Sequence, residues 1–170
     1  MIGGGDWALN RIVPDCVRAL SDGIAIPVRN KFATRPWQHV LEPLGGYLLL
    51  GAELYRMLKG RPAISANYGA TYLCQGFNFG PDLRSNLTVG ELVNEMLKYW
   101  SGEWVDQSET NAPHEASLLN LSIEKAYHVL GWQPAWDFSQ TIEKTVCWYR
   151  SVHDRTASPR ELTLQQIEEY

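Results

Sequence analysis

Apolar residues in this chain recur at intervals of three and four along five segments and alternate over only two short ones, so helices must supply most of its core. The clearest segment has Thr88 and Glu91 spaced as a capping box, with Val89, Leu92, Val93, Met96, Leu97 and Trp100 forming one stripe behind it. Val13, Cys16, Val17 and Leu20 predict a shorter amphipathic helix that accepts Pro14 in its first turn and stops at Gly23. A longer helix begins at Leu41. Leu41, Leu44, Leu48, Ala52 and Tyr55 are its expected buried face, Pro43 lies near its start, and its end falls near Gly60. Ser122 is placed to cap a helix that buries Ala126, Val129 and Leu130 and ends at Gly131, and a last helix over about 139–151 carries Ile142, Val146 and Tyr149.

The alternating runs 24–29 and 72–79 predict strands, the first leading into a turn at Asn30 and the second delivering Asn78 before the Gly80-Pro81-Asp82 turn. Residues 61–70 read as a surface loop. No repeat, low-complexity tract or long linker interrupts the pattern, so the expected class is α/β, mainly helices with a few short strands, in one domain over 1–153. Residues 154–170 are polar, and two readings stay open for them: a loose tail, or a helical turn docked through Leu162, Leu164 and Ile167.

With 170 residues, 45% hydrophobic and 20% charged, the composition is globular and argues against disorder or fibrous structure. No run approaches the roughly 20 apolar residues of a membrane span, and the Gly-rich start does not resemble a signal peptide, so a cytoplasmic protein without a membrane partner is expected. Cys16, Cys74 and Cys147 form no CxxC pair and predict packed thiols rather than a disulfide framework or zinc site. Net charge is −4, yet residues 1–35 hold five cations (Arg11, Arg18, Arg29, Lys31 and Arg35) against three anions (Asp6, Asp15 and Asp22), so that segment stands at +2 and the remainder at −6. Such a patch is too small for nucleic acid and suits a small anionic ligand.

Gly3, Gly5 and Ala8 satisfy the loose G-x-G-x-x-G/A pattern, but two preceding residues cannot form the strand that a dinucleotide cradle needs, and a flexible glycine loop is the better reading. Tyr55 and Lys59 have the spacing that lets an ammonium lower a phenol's pKa, but Tyr55 continues the apolar stripe and Lys59 suits the negative end of the helix dipole, so a structural role is expected. Arg11, Arg29 and Arg35 all fall at element ends, where guanidinium groups can converge on a diphosphate; solvated surface arginines are the alternative. His39 and His114, taken singly, read as structural histidines, and most of the seven Trp residues as packing residues.

The runs Gly3-Gly4-Gly5-Asp6-Trp7-Ala8, Arg11-Ile12-Val13-Pro14-Asp15 and Arg35-Pro36-Trp37-Gln38-His39-Val40-Leu41-Glu42-Pro43 closely resemble the CDP-glucose 4,6-dehydratase family, within the extended short-chain dehydrogenase/reductases. The likeness continues through Asn78-Phe79-Gly80-Pro81, Thr88-Val89-Gly90-Glu91-Leu92, Pro113-His114-Glu115-Ala116, Leu130-Gly131-Trp132-Gln133-Pro134 and Thr145-Val146-Cys147-Trp148-Tyr149, and so covers nearly the whole chain. It implies the C-terminal, substrate-binding part of such an enzyme, lacking the N-terminal Rossmann half with its NAD loop, its Tyr-x-x-x-Lys and its acid and base. A truncated gene, a split gene or an internal start is therefore expected.

In that family NAD takes hydride from the sugar C4, water leaves across C5 and C6, and the hydride returns to C6, giving CDP-4-keto-6-deoxyglucose. The resemblance implies Arg35 as a diphosphate ligand, Arg11 and Pro14 as substrate-binding residues lining the entry helix, Asn78, His114 and Glu115 at positions near the nucleotide pocket, and Arg29 as a further substrate-binding residue. It assigns no catalytic, cofactor or metal residue to this chain, which alone is expected to hold no cofactor. The expected partners are CDP-glucose or a related nucleotide-sugar, a Rossmann half in trans and a further copy of the chain. Lyase activity is expected only with that half supplied. The rival readings are a non-catalytic nucleotide-sugar binding or assembly module, and a gene remnant without a stable fold.

Overall fold

The computed structural model describes residues 1–65, 67–108 and 120–170. Helix α1 (Ile12–Ser21) buries Val13, Cys16, Val17 and Leu20, the face that the spacing predicts, and Gly23 follows at φ +67°. Strand β1 (Ile26–Val28) is the centre of the first alternating run. β2 (Thr34–Pro36) leads into the long α2 (Leu41–Leu58), and a single helical turn, α3 (Ala70–Leu73), comes after it. β3 (Asn86–Thr88) then enters α4 (Val89–Tyr99), whose capping box between Thr88 and Glu91 is present as expected. β4 (Trp104–Asp106), α5 (Glu124–Leu130), α6 (Phe138–His153) and α7 (Pro159–Glu169) complete the chain.

The strands form two pairs, β1 parallel to β4 and β2 antiparallel to β3. Strands β2 to β4 have three residues each, too short for a period of two to stand out in the sequence. The main core joins α1, β1, α4 and α6 through Cys16, Val17, Ile26, Leu92, Met96, Ile142 and Val146. A second cluster holds Leu73, Phe79, Ala126, Val129, Leu130 and Trp132, with Leu49, Leu50, Leu54 and Met57 of α2 packed against it.

Several expectations are corrected. The run 72–79 is not a strand: Tyr72 and Leu73 belong to α3, and Phe77 and Phe79 stack 6.2 Å apart instead of pairing with a neighbour. Its aromatic residues are satisfied by the second cluster, so the alternation carries no ladder. Helix α5 starts at Glu124 behind Ile123, without a side-chain cap from Ser122, although Gly131 ends it at φ +67° as expected. α6 is capped by Asp137, whose carboxylate accepts from Gln140 N while Gln140 reaches back to Asp137 N. Of the three thiols only Cys16 is packed, and burial pushes its pKa up to about 12; Cys74 and Cys147 are exposed.

Helix α2 is the largest correction. Its inward side is built of Glu42, Pro43, Gly46 and Glu53, whereas Leu44, Leu48 and Tyr55 of the expected stripe face outward. Gly46 permits this, since a Cβ there would lie 2.3 Å from Phe79 Cδ1. Both buried acids are matched: Glu53 accepts from Ser65 N, Ser65 Oγ and Arg56, and Glu42 from the backbone N–H groups of Ala135 and Trp136.

Of the two readings for 154–170, the chain forms a helix. Ser158 and Glu161 make a capping box at the start of α7, Trp148 Nε1 donates to Thr163 Oγ1, and Gln166 Nε2 donates to Lys144 O. At its end Tyr170 donates to Glu42 Oε2 at 3.1 Å and packs edge-on against Trp136. Leu162 also packs against the main core, as one of the two readings had it, whereas Leu164 and Ile167 stay exposed, so polar contacts and a single apolar residue dock the helix. Among the described residues no helix is long and apolar enough to cross a membrane.

Candidate functional site

A cleft of about 300 Å³ opens between the glycine-rich start, the first turns of α1 and the β2 segment. Arg11, Pro14 and Arg35, three of the residues singled out from the sequence, line it together with Asp6 and Trp37. Local chemistry puts them there. Arg11 precedes α1 in extended conformation, so its side chain leaves the helix N-terminus, where the dipole favours anions. Arg35 sits at the middle of β2, opposite Leu87, and donates through one guanidinium nitrogen to Thr34 O at 2.8 Å. Pro14 and Trp37 are buried and give the cleft an apolar wall; Trp37 Nε1 is fixed by Leu87 O at 2.8 Å.

The glycine-rich start is clamped rather than flexible, contrary to the expectation. A Cβ on Gly4 would lie 2.1 Å from Trp148 Cδ2, and one on Gly3 would lie 2.9 Å from Val40 Cγ1, so these glycines serve close packing. Tyr149 donates to Asp6 O at 2.5 Å, and Arg18 donates to Trp7 O and Ala8 O, each at 3.2 Å. Asp6 accepts from Ala8 N and, at 3.4 Å, from Arg11, which sets that guanidinium at the cleft. Burial pushes the Tyr149 phenol up to about 12, so it remains a donor at neutral pH.

Other expected site residues lie elsewhere. Arg29 is not among the cleft-lining residues; it donates to Asn10 Oδ1 at 3.4 Å and steadies a residue at φ +61°. Asn78 donates to Ser122 O at 3.2 Å and ties the segment after α3 to the start of α5. His114 and Glu115 fall outside the described residues. The spacing analysis missed Asp6 and Trp37 as cleft residues, and an acid within five positions of Arg11 was the available signal for the first.

His39 is structural, as its sequence context suggests. It is 2% exposed, lies edge-on to Trp136 with ring centroids 4.9 Å apart, accepts from Leu41 N through Nδ1, and among the described residues finds no partner for Nε2. Burial first, and the Lys144 charge second, lower its pKa from 6.5 to about 4. Unfolded chains therefore take up the proton before folded ones do. Stability is full above about pH 6.5, declines as pH falls through that value, and levels off below about 4. Between about pH 7 and pH 5 the loss from this one group is about 2 kcal/mol. Urea melts of the parent and of His39→Gln should diverge by that amount across the interval, and a constant difference would refute the assignment.

No cofactor cradle is formed by Gly3, Gly5 and Ala8: α1 begins only at Ile12, and Gly4 is filled against by Trp148. Tyr55 lies on the outward side of α2, 54% exposed rather than buried, with Lys59 Nζ 5.9 Å from its ring centre. Among the described residues no cluster of His, Cys, Asp and Glu could hold a metal ion.

No protein-family model matches the chain. It is 38% identical over 153 residues to CDP-glucose 4,6-dehydratase of Salmonella typhimurium, covering 89% of this chain and 39% of that protein. It is 30% identical over 141 residues to dTDP-glucose 4,6-dehydratase of Streptomyces antibioticus, covering 82% of this chain and 37% of the relative. Among solved structures, UDP-glucuronic acid 4-epimerase of Bacillus cereus, in complex with UDP-4-deoxy-4-fluoro-glucuronic acid and NAD, superposes with a TM-score of 0.66 at 11% identity, over 89% of this chain and 43% of that one. A dTDP-glucose 4,6-dehydratase of Bacillus anthracis in complex with NAD gives a TM-score of 0.59 at 19% identity, over 85% and 40%. The chain thus spans about two fifths of the proteins it matches, and its architecture is that of the C-terminal part of extended short-chain dehydrogenase/reductase enzymes.

Proposed function

We propose that this chain is the nucleotide-sugar-binding part of a CDP-glucose 4,6-dehydratase, with Arg35 and Arg11 holding the diphosphate and Pro14 and Trp37 the apolar wall beside it. The convergence of both arginines on one cleft carries this reading, because guanidinium groups offer a diphosphate charged, bidentate donors. The 38% identity to a CDP-glucose 4,6-dehydratase supports the substrate class. Arg29 supports the cleft from outside, through Asn10 beside Arg11.

Hydride transfer needs a nicotinamide cofactor that does the redox chemistry, and the described residues build no cradle for it. We assign that chemistry to a Rossmann part, in the same polypeptide or supplied in trans, without which this chain binds substrate and does not turn it over. The protein works in the aqueous cytoplasm, where sugar nucleotides are made and consumed.

Calorimetric titration of the folded chain with CDP-glucose, with dTDP-glucose as the control, tests the reading. Selective binding of CDP-glucose is expected, with 4-keto product only when the Rossmann part is added. A folded chain that binds neither nucleotide-sugar would overturn it.

A further inference from the structure

Helix α7 is hydrogen-bonded to the same side chain that packs against the glycine-rich rim of the cleft. That side chain is Trp148 of α6, which is buried. Its ring fills the place where a Gly4 side chain would stand, with Cδ2, Cγ and Cε2 at 2.1, 2.3 and 2.5 Å from a Cβ built there. Its Nε1 donates to Thr163 Oγ1 of α7 at 3.1 Å. Thr163 donates its own proton to Pro159 O at 2.8 Å, which leaves the hydroxyl oxygen as the acceptor that the indole needs.

The rim is the backbone from Gly3 to Ala8, and it sets one of the two arginines. Gly3 and Asp6 line the cleft, and the Asp6 carboxylate accepts from Ala8 N at 2.9 Å and from Arg11 Nη1 at 3.4 Å. Three successive glycines, the last at φ +89°, give this backbone little preference of its own. Contacts from other elements therefore decide where it lies: Trp148 against Gly4, Tyr149 Oη on Asp6 O, and Arg18 on the carbonyls of Trp7 and Ala8. Trp148 and Tyr149 are neighbours on α6, with ring centroids 5.1 Å apart and planes at 80°. A shift of the indole thus disturbs two of these contacts together, and Thr163 of α7 holds the indole's polar edge.

We propose that Trp148 is a positioning residue of the diphosphate cleft: fixed by Thr163 of α7, it holds the Gly3–Ala8 rim where Asp6 sets Arg11 toward the ligand, so that docking of α7 and binding of the nucleotide-sugar are coupled. The ligand in this proposal rests on the functional reading above; the link from α7 to the rim rests on the packing alone. Such coupling is reciprocal, so a bound nucleotide-sugar also tightens α7. Helix α7 has further ties to the body of the protein, in Leu162 against the main core, Gln166 Nε2 on Lys144 O and the Lys144–Glu169 ion pair. These keep the helix docked when the Thr163 hydroxyl is removed, so the link can be broken without removing the helix.

Thr163→Val keeps the branched shape and removes the hydroxyl, while Thr163→Ser keeps the hydroxyl. Calorimetric titration with CDP-glucose is expected to give an affinity about threefold lower for Thr163→Val than for the parent, with Thr163→Ser close to the parent, since one neutral hydrogen bond is worth roughly fivefold at most. In a chain that already carries Arg11→Ala the same change should have no measurable effect, because the group being positioned is gone. Amide hydrogen exchange followed by NMR without ligand gives a second readout: in Thr163→Val, exchange at Ala8 should quicken about threefold relative to the α4 amides, which report global opening. A general loss of stability would speed both alike. Equal affinity in the parent and Thr163→Val, a loss that persists beside Arg11→Ala, or Ala8 exchange that only follows α4 would overturn the proposal. A parent that binds no CDP-glucose, while Ala8 exchange still quickens in Thr163→Val, refutes the functional reading and leaves the link from α7 to the rim standing.

Discussion

Arg35→Ala is expected to weaken CDP-glucose binding roughly 30-fold, about 2 kcal/mol, as one charge-assisted pair of hydrogen bonds to the diphosphate is lost. The position is well placed for that role: β2 is held by β3 on one side, so the backbone of Arg35 is fixed at the cleft before any ligand arrives. Arg35→Lys should recover part of the loss, since an ammonium keeps the charge but cannot make the planar two-point contact. Arg11→Ala should cost less, because its side chain is 66% exposed and divides its charge with Asp6. Titration calorimetry of the three variants gives the ranking directly. If Arg35→Ala binds as tightly as the parent, the diphosphate is not held in this cleft.

Glu42→Ala is expected to lower stability by about 3 kcal/mol, a drop in melting temperature of roughly 10 °C for a chain of this size. Glu42 is fully buried, and its two oxygens accept from Ala135 N, Trp136 N and Tyr170 Oη at 2.8 to 3.2 Å. Removing the carboxylate leaves those donors without an acceptor inside the protein and releases the end of α7. Glu42→Gln keeps an acceptor oxygen and should lose less. Thermal melts with limited proteolysis of the α7 segment measure both effects. A loss below about 1 kcal/mol would mean that water replaces the carboxylate, and that the contact with Tyr170 contributes little.

Helices that cover one core are legible in the sequence because their signal is local. The α1 and α4 stripes and the Thr88–Glu91 capping box are each complete within a dozen residues, and each is found where expected. The fold family was legible from motifs, and among the expected site residues Arg11, Pro14 and Arg35 do share one cleft. Less could be read where the deciding partner is distant. Residues 72–79 alternate like a strand, yet among the described residues no strand pairs with them, and Phe77 and Phe79 pack in the second cluster with α5 and Trp132 instead. The glycine-rich start looked flexible because nothing in its own sequence discloses Trp148, more than 140 positions away, against which Gly4 is fitted.

The sequence by itself determined that the segments of α1, α2, α4, α5 and α6 are helical, the cationic character of the first 35 residues and the kinship to sugar-nucleotide dehydratases, since periodicity, charge and motif identity are properties of the chain taken in order. Tertiary structure alone decided which side of α2 faces its own core, that Arg29 steadies a loop while Arg11 and Arg35 meet at the cleft, and that residues 159–169 dock as a helix. The physical reason is common to all three. Burial and hydrogen-bond satisfaction depend on groups brought together from distant positions, and the apolar stripe of α2 carries no local mark that its own domain will cover the opposite side, where Glu42 and Glu53 find their partners.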